Sequence, residues 1–174
     1  KGLFLGIGYA NPHSLISIRI LTRKKEEIDG AFIKRRIEDA LAYRKRFLGD
    51  RTSFRAVYSE GDLLPGLIVD KYEDCLSVQF LTLGMEAMSD IVLKALDEVF
   101  SPSTIVLRND NNIRTLENIP LEKKIVKGSL DTLPVIDEFG MKMEIDPMSG
   151  QKTGFFLDQA ENRAAFASLA SGGV

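Results

Sequence analysis

The sequence predicts an α+β fold. Short stretches near the N-terminus have strand character. Two longer stretches have helical spacing, around 30–48 and 88–100. Between 54 and 134, brief apolar runs alternate with turn residues. The expected centre is a small sheet with one long helix on one face.

The elements follow in order. Leu3 to Tyr9 precedes the turn signal Asn11-Pro12, and Leu15 to Leu21 alternates near its centre, which together predict a hairpin. Two strands alone are marginal in water, so the hairpin is expected to be part of a larger β unit. A helix is predicted from Gly30 to Leu48, with Ile33, Ile37, Ala40, Leu41 and Leu48 on one face. Asp29 suits its N-cap and Gly49 its C-terminal stop. Phe54 to Glu60 reads as a strand, and Gly61 to Gly66 as a turn-rich loop. Leu67–Val69 and Leu76–Phe80 form a predicted hairpin around Tyr72-Glu73-Asp74. Met88, Ile91, Val92, Ala95, Leu96, Val99 and Phe100 repeat at helical spacing until Pro102 blocks continuation. A strand is expected from Thr104 to Leu107 and a helical turn from Ile113 to Glu117. Pro134–Asp137 and Met141–Ile145 flank the hairpin signal Phe139-Gly140. The last helix should start near Asp158, with Glu161 completing a capping-box-like start. Leu157, Phe166 and Leu169 are expected to anchor it, and Gly172-Gly173 to end it.

Composition narrows the function classes. A net charge of −2 excludes a globally basic nucleic-acid binder but allows a local basic face. The single cysteine, Cys75, cannot pair internally, which fits a reducing, cytoplasmic compartment. No apolar run is long enough to span a bilayer, so no membrane association is expected. Lys1 is not an initiator methionine and Val174 follows two glycines; both ends are read as cuts through a longer protein.

The densest chemistry lies in Gly150-Gln-Lys-Thr-Gly-Phe-Phe-Leu-Asp-Gln-Ala-Glu-Asn-Arg163. Its glycines permit close backbone approach to a ligand. The following helix start offers free N–H groups and the positive end of a dipole. Lys152, Gln159 and Arg163 can contact polar groups, and Phe155 and Phe156 can pack on a flat ring. The same residues also read as a glycine-rich turn before an ordinary capped helix. A phosphate-binding P-loop is a poor match, because Gln151 separates Gly150 from Lys152.

This motif closely resembles a segment of the S-adenosylmethionine-dependent methyltransferases that modify large-subunit ribosomal RNA at cytosine carbon-5. Upstream, Glu60-Gly61-Asp62-Leu63-Leu64-Pro65-Gly66 and the residues to Glu86 resemble the middle domain of that family. Gly8 to Thr22 resembles the last strands of its PUA domain, a small RNA-binding barrel, and Arg108 to Asn118 fits more loosely. The resemblance implies the end of a PUA-like barrel at 1–23, a helical linker at 24–50, an α+β middle domain at 51–132, and the edge of a Rossmann-like methyltransferase domain at 133–174. It implies cofactor-lining roles for Lys152, Thr153, Phe155, Phe156, Asp158, Gln159 and Arg163, with S-adenosylmethionine as cofactor and ribosomal RNA as partner. One departure stands out: the family usually has arginine where this chain has Ala160.

The family's nucleophilic cysteine is expected beyond Val174, since a thiolate adds to the pyrimidine ring to activate carbon-5. Cys75 reads instead as a buried structural thiol. No catalytic residue is therefore assigned, and the chain alone is expected to be inactive. Arg19, Arg23, Lys24, Lys34, Arg35, Arg36, Lys45 and Arg46 read as an RNA phosphate face with the resemblance, and as a solvated helix face balanced by nearby acids without it. His13 is a surface turn residue, and no metal site is expected. Asp62, Asp70, Glu73 and Asp74 read as hairpin-turn and loop acids, and the resemblance implies a structural or RNA-positioning role for them. The rival reading is a non-catalytic RNA-binding or assembly module, and a homodimer is left open.

Overall fold

The computed structural model describes residues 2–170. The glycine pair Gly172-Gly173 and Val174 lie outside the described residues. The elements are β1 (Ile7–Ala10), β2 (Ile18–Thr22), α1 (Gly30–Leu48), β3 (Phe54–Tyr58), β4 (Leu67–Tyr72), β5 (Cys75–Phe80), α2 (Leu83–Glu86), α3 (Ser89–Phe100), β6 (Thr104–Asn109), α4 (Ile113–Leu116), β7 (Glu122–Lys127), β8 (Val135–Glu138), β9 (Met141–Glu144) and α5 (Ala160–Leu169).

A five-stranded sheet of order β3-β4-β5-β6-β7 forms the centre, and the pairs β1-β2 and β8-β9 are separate hairpins. Only β5 and β6 run parallel within the five-stranded sheet. Their connection passes through α3, as a parallel crossover requires. β4 and β5 meet at a two-residue turn whose first residue, Glu73, has φ +56°.

Strand alternation gives the sheet two unlike faces. Leu67 and Val69 of β4, Leu76, Val78 and Phe80 of β5, and Ile105 and Leu107 of β6 join one core with α1 and α3. Phe32, Ile33, Ile37 and Ala40 of α1 and Val92, Ala95 and Leu96 of α3 complete it. Each fully buried Ile or Leu there, such as Ile37 or Leu96, stabilises the fold by about 2 kcal/mol. Two helices therefore cover this face, not the single one expected, and the segment read as a connector lies in the core. Asp29 caps α1 by accepting from the Phe32 amide at 2.8 Å, and Gly49 ends it at φ +59°.

The other face is polar at its centre. It carries Asp70 and Tyr72 of β4, Ser77 and Gln79 of β5, and Arg108 of β6, all buried. The β8-β9 hairpin and the segment after it cover this face around a small apolar cluster of Tyr72, Ile136 and Ile145, packed by Met143, Phe155 and Leu157.

Three expectations need correction. Residues 2–6 are not strand, and the hairpin starts at Ile7. Asp158 does not cap the last helix: Leu157–Gln159 form a 3-10 turn, and α5 starts at Ala160 after Gln159, with no side-chain cap. Phe166 and Leu169 are exposed and anchor nothing, whereas Leu157 does pack inward. β7 and α2 were not foreseen.

The N-terminal hairpin docks on the sheet's α2 and α4 side through polar contacts. Glu117 accepts from Asn11 Nδ2 at 2.9 Å, from Ser14 Oγ, from Arg19 Nη2 at 3.4 Å and from the Leu83 amide at 3.3 Å. Tyr9 donates to the Pro65 carbonyl at 2.8 Å, and its ring lies against Gly84, where a Cβ would meet it at 2.1 Å.

Candidate functional site

The segment 146–163 is fastened to the polar face of the sheet at three points. At the first, Arg108 donates to the Pro147 carbonyl at 2.8 Å and to the Gly150 carbonyl at 2.9 Å. Its guanidinium also meets Asp110. Burial works to raise the Asp110 carboxyl, but hydrogen bonding and charge from Arg108 outweigh it and hold the group below the usual range. Asp146 closes the adjoining turn by accepting from the Met148 and Ser149 amides at 2.8 and 2.9 Å, and the Ser149 bond leads the effects that hold its carboxyl low.

At the second point, Asp70 sits fully buried in β4. Its carboxylate takes a bidentate pair from Arg55, at 2.8 and 2.9 Å, and a hydrogen bond from the Thr153 hydroxyl. Arg55 and Asp70 are register partners on β3 and β4, so the sheet itself aligns this pair. A buried carboxylate needs such partners, because charge removed from water is costly when unpaired. The bond from Asp70 raises the Arg55 pKa above its ordinary value.

Tyr72 makes the third. Its hydroxyl lies 3.2 Å from Thr153 Oγ1 and accepts from the Phe155 amide at 3.0 Å. Burial, followed by the Asp70 charge, pushes this phenol up to about 12, so it stays protonated.

Between these anchors the chain turns tightly. The Gly154 amide donates to the Gln151 carbonyl at 2.8 Å, and Lys152 adopts φ +54°. A left-handed conformation costs a side-chain-bearing residue about 1 kcal/mol. Gly150 must lack a side chain: a Cβ there would lie 2.3 Å from the Gly154 oxygen and 2.6 Å from the Asp146 oxygen.

This turn borders a cavity of about 580 Å³. The end of α1, β3 and the β8-β9 turn form the remaining walls, and the volume is in the range that suits a small-molecule ligand. Of the seven residues expected to line a cofactor pocket, Lys152, Phe155 and Asp158 line this cavity. Thr153 is engaged by Asp70 and Tyr72. Phe156 lies under Lys152, whose ammonium is 4.3 Å from the ring centroid. Gln159 is exposed and accepts from Asn162 at 2.7 Å. Arg163 makes a bidentate pair with buried Glu138, donates to the Phe156 carbonyl at 3.0 Å and stacks on Phe155 at 4.4 Å. Ala160 also lines the cavity.

The eight basic residues read as an RNA face differ in their partners. Arg19 bridges Glu60 and Glu117, Lys34 pairs with Glu98, and Arg35 with Glu26. Arg36 donates to the Leu21 carbonyl and stacks on Phe32. Arg23, Lys24, Lys45 and Arg46 are exposed.

Sequence reasoning missed the Arg55–Asp70–Thr153 joint. A charged residue inside the apolar run Leu67-Ile-Val-Asp-Lys-Tyr72 was the available signal. Cys75 is buried, and desolvation, followed by the Asp74 charge, pushes its thiol up to about 12. Among the described residues, no group of three or more His, Cys, Asp or Glu is placed to hold a metal ion, and no helix is long and apolar enough to cross a membrane.

No family model matches the chain. It is 38% identical over 173 residues to ribosomal RNA large subunit methyltransferase I of Alteromonas mediterranea, covering 98% of the chain and 44% of that protein. Its homologues are ribosomal RNA large subunit methyltransferases. The chain spans less than half the length of these curated relatives. A candidate SAM-dependent methyltransferase from Streptococcus mutans superimposes with a TM-score of 0.75 at 21% identity, over 94% of this chain and 42% of that one. The methyltransferase candidate SMU.776, solved in complex with SAH, matches at 0.75 and 20% identity, over 92% of this chain and 41% of that one. At such identities the likeness establishes the α+β fold with its central mixed sheet.

Proposed function

We propose that this chain is the RNA-presenting and cofactor-flanking part of an S-adenosylmethionine-dependent methyltransferase that acts at cytosine carbon-5 of large-subunit ribosomal RNA. In this reading 1–23 closes a PUA-like barrel, the central sheet is the middle domain, and 133–174 starts the methyltransferase domain. The single observation that carries it is the 150–163 turn, fastened to the sheet through Asp70, Tyr72 and Arg108 and bordering a ligand-sized cavity.

The residues present suit the cofactor. Phe155 and Phe139 offer faces for a flat ring, Asp158 offers a carboxylate to a cation, and Lys152 offers a cation to a carboxylate. When bound, the cofactor supplies an electrophilic methyl group. This chain's contribution is to hold the wall: Arg55, Asp70 and Thr153 fix the turn, and Arg163 with Glu138 fixes the start of α5 against the β8-β9 hairpin. Ala160 leaves a site without the arginine found in the resembling family, so the polar end of the cofactor relies on Lys152 and Asp158, which line the cavity. Nucleophilic addition to the pyrimidine falls to a thiol elsewhere, because the only cysteine here is buried and fully protonated at neutral pH.

The test is methyl transfer from radiolabelled S-adenosylmethionine to large-subunit ribosomal RNA, with the label located by nucleoside mass spectrometry. A longer protein carrying this chain should yield 5-methylcytosine, and the chain alone should yield none. Label on a ribose or on another base overturns the carbon-5 assignment. Turnover by the chain alone overturns the division of roles.

A further inference from the structure

The cavity wall opposite the 150–163 turn has a chemistry of its own. Tyr43 and Phe47, one turn apart on α1, stand with ring centroids 4.8 Å apart. With Tyr58 of β3 and Phe139 of the β8-β9 turn they line the cavity, yet 62%, 63%, 54% and 56% of their surfaces remain exposed. Four arginines sit over these four rings: Arg44 on Tyr43 at 5.7 Å, Arg46 on Phe47 at 5.5 Å, Arg55 on Tyr58 at 5.4 Å and Arg51 on Phe139 at 4.9 Å. Three of the four are already engaged by acids, Arg51 by Glu161. Arg44 is held by Asp62 and by the Arg55 carbonyl, and Arg55 by Asp70.

Large exposed rings cost solvation and are retained where something covers them. Rigid aromatic faces beside a guanidinium group suit unstacked nucleobases on a phosphate chain: each base has a ring to stack on, and Arg46 over the Phe47 ring is placed to meet a phosphate. Acids also face the cavity. Asp137 and Asp158 are exposed, and Glu138 is taken by Arg163. Arg46, exposed on α1 with its guanidinium over the Phe47 ring, supplies the cation beside that wall.

We infer that Tyr43, Phe47 and Tyr58, with Arg46 at the rim, form a stacking platform for an unstacked single-stranded RNA segment, facing the cofactor wall across one cavity. This rests on the proposed activity for its RNA partner but not for its physics. The probe is a short single-stranded RNA carrying the fluorescent base 2-aminopurine, titrated into the full chain. Stacking should quench the fluorescence. Tyr43→Ala and Phe47→Ala should each weaken binding roughly tenfold and abolish the quench, whereas Tyr43→Phe should retain both. Arg46→Gln should flatten the salt dependence. Circular dichroism checks that the variants fold; both rings are mostly exposed, so their truncation should leave the fold intact.

Unchanged affinity in both alanine variants overturns the platform, and if the longer protein still methylates RNA, the proposed activity survives that result. Quenching that persists in a protein unable to methylate ribosomal RNA keeps the platform and removes the activity. Absence of RNA binding by the wild-type chain overturns the platform and assigns the rings to a protein surface.

Discussion

Thr153 donates its hydroxyl hydrogen to the buried carboxylate of Asp70, across 83 positions of sequence. This contact joins the motif richest in candidate chemistry to the centre of the sheet. The face where it occurs is polar at its centre, beside the small apolar cluster of Tyr72, Ile136 and Ile145. Asp70, Tyr72 and Arg108 meet the incoming segment through directed bonds, with Arg55 holding Asp70 from the neighbouring strand, so the segment's position is set by hydrogen-bond geometry and not by shape alone.

Removing Arg55 should therefore be more harmful than its partly exposed position suggests. Arg55→Ala leaves Asp70 buried with Thr153 as its remaining charge-stabilising donor, and stripping one partner from such a pair costs about 3 kcal/mol. Thr153→Val removes one bond to a charged group, for about 2 kcal/mol. Urea denaturation measures both. Equal stabilities for wild type and Arg55→Ala would show that the carboxylate is not committed to this pair.

Gly150→Ala tests the turn itself. The added methyl meets two backbone oxygens closer than any real contact allows, and backbone, unlike a side-chain tip, cannot swing aside. The Arg108 anchor to the Gly150 carbonyl should be lost as the turn shifts. Destabilisation of about 2 kcal/mol is expected, with faster amide exchange confined to 146–156. A variant with wild-type exchange there would mean that the turn has room that the structure does not show.

Much of the fold was legible because it rests on local signals. Asp29 and Gly49 bracket α1, apolar spacing marks α3, and Phe139-Gly140 supplies the two left-handed positions, φ +55° and +85°, that the β8-β9 turn uses. β7 was not legible: Glu122-Lys-Lys-Ile-Val-Lys127 is mostly exposed on a sheet edge, shows no clean alternation, and is strand because β6 offers it a ladder. The opposite error befell α5, where Phe166 and Leu169 have core-like identities but no surface here to cover. In the candidate site, the residue types between 150 and 163 stood out at once. Their commitments did not, since Thr153 turns to Asp70 and Arg163 to Glu138 only once distant strands are in place.

Docking of the N-terminal hairpin should depend on pH through Glu117. Burial tends to raise this carboxyl, but the bonds from Ser14, Asn11, the Leu83 amide and Arg19 outweigh burial and place it below its ordinary 4.5. A group depressed on folding contributes its full stabilisation above its unfolded pKa and loses it as pH falls through the folded one. The hairpin contacts should thus be intact at neutral pH and weaken only below about pH 4.5. Proteolysis within 23–29, followed against pH, should accelerate in that acid range. Glu117→Gln should cleave faster at neutral pH and lose much of the acid response. A wild-type rate that is flat to strong acid, with the overall fold intact, would separate hairpin docking from Glu117.

Cys75 gives the most direct check on the division of chemical labour. It is 2% exposed on β5, and its thiol is raised to about 12. The thiolate, not the thiol, attacks electrophiles, so a buried sulfur held in the thiol form is guarded both by its protonation and by lack of access. Native protein should leave a disulfide reagent such as Ellman's uncoloured over hours, and one equivalent should react on unfolding in guanidinium. Unfolding ahead of modification would make the rate follow stability, so Arg55→Ala should label faster than wild type in dilute denaturant while Tyr43→Ala should not. Prompt labelling of the native wild type would show an accessible, activated sulfur, and the nucleophile of the methylation reaction would then have to be sought within this chain.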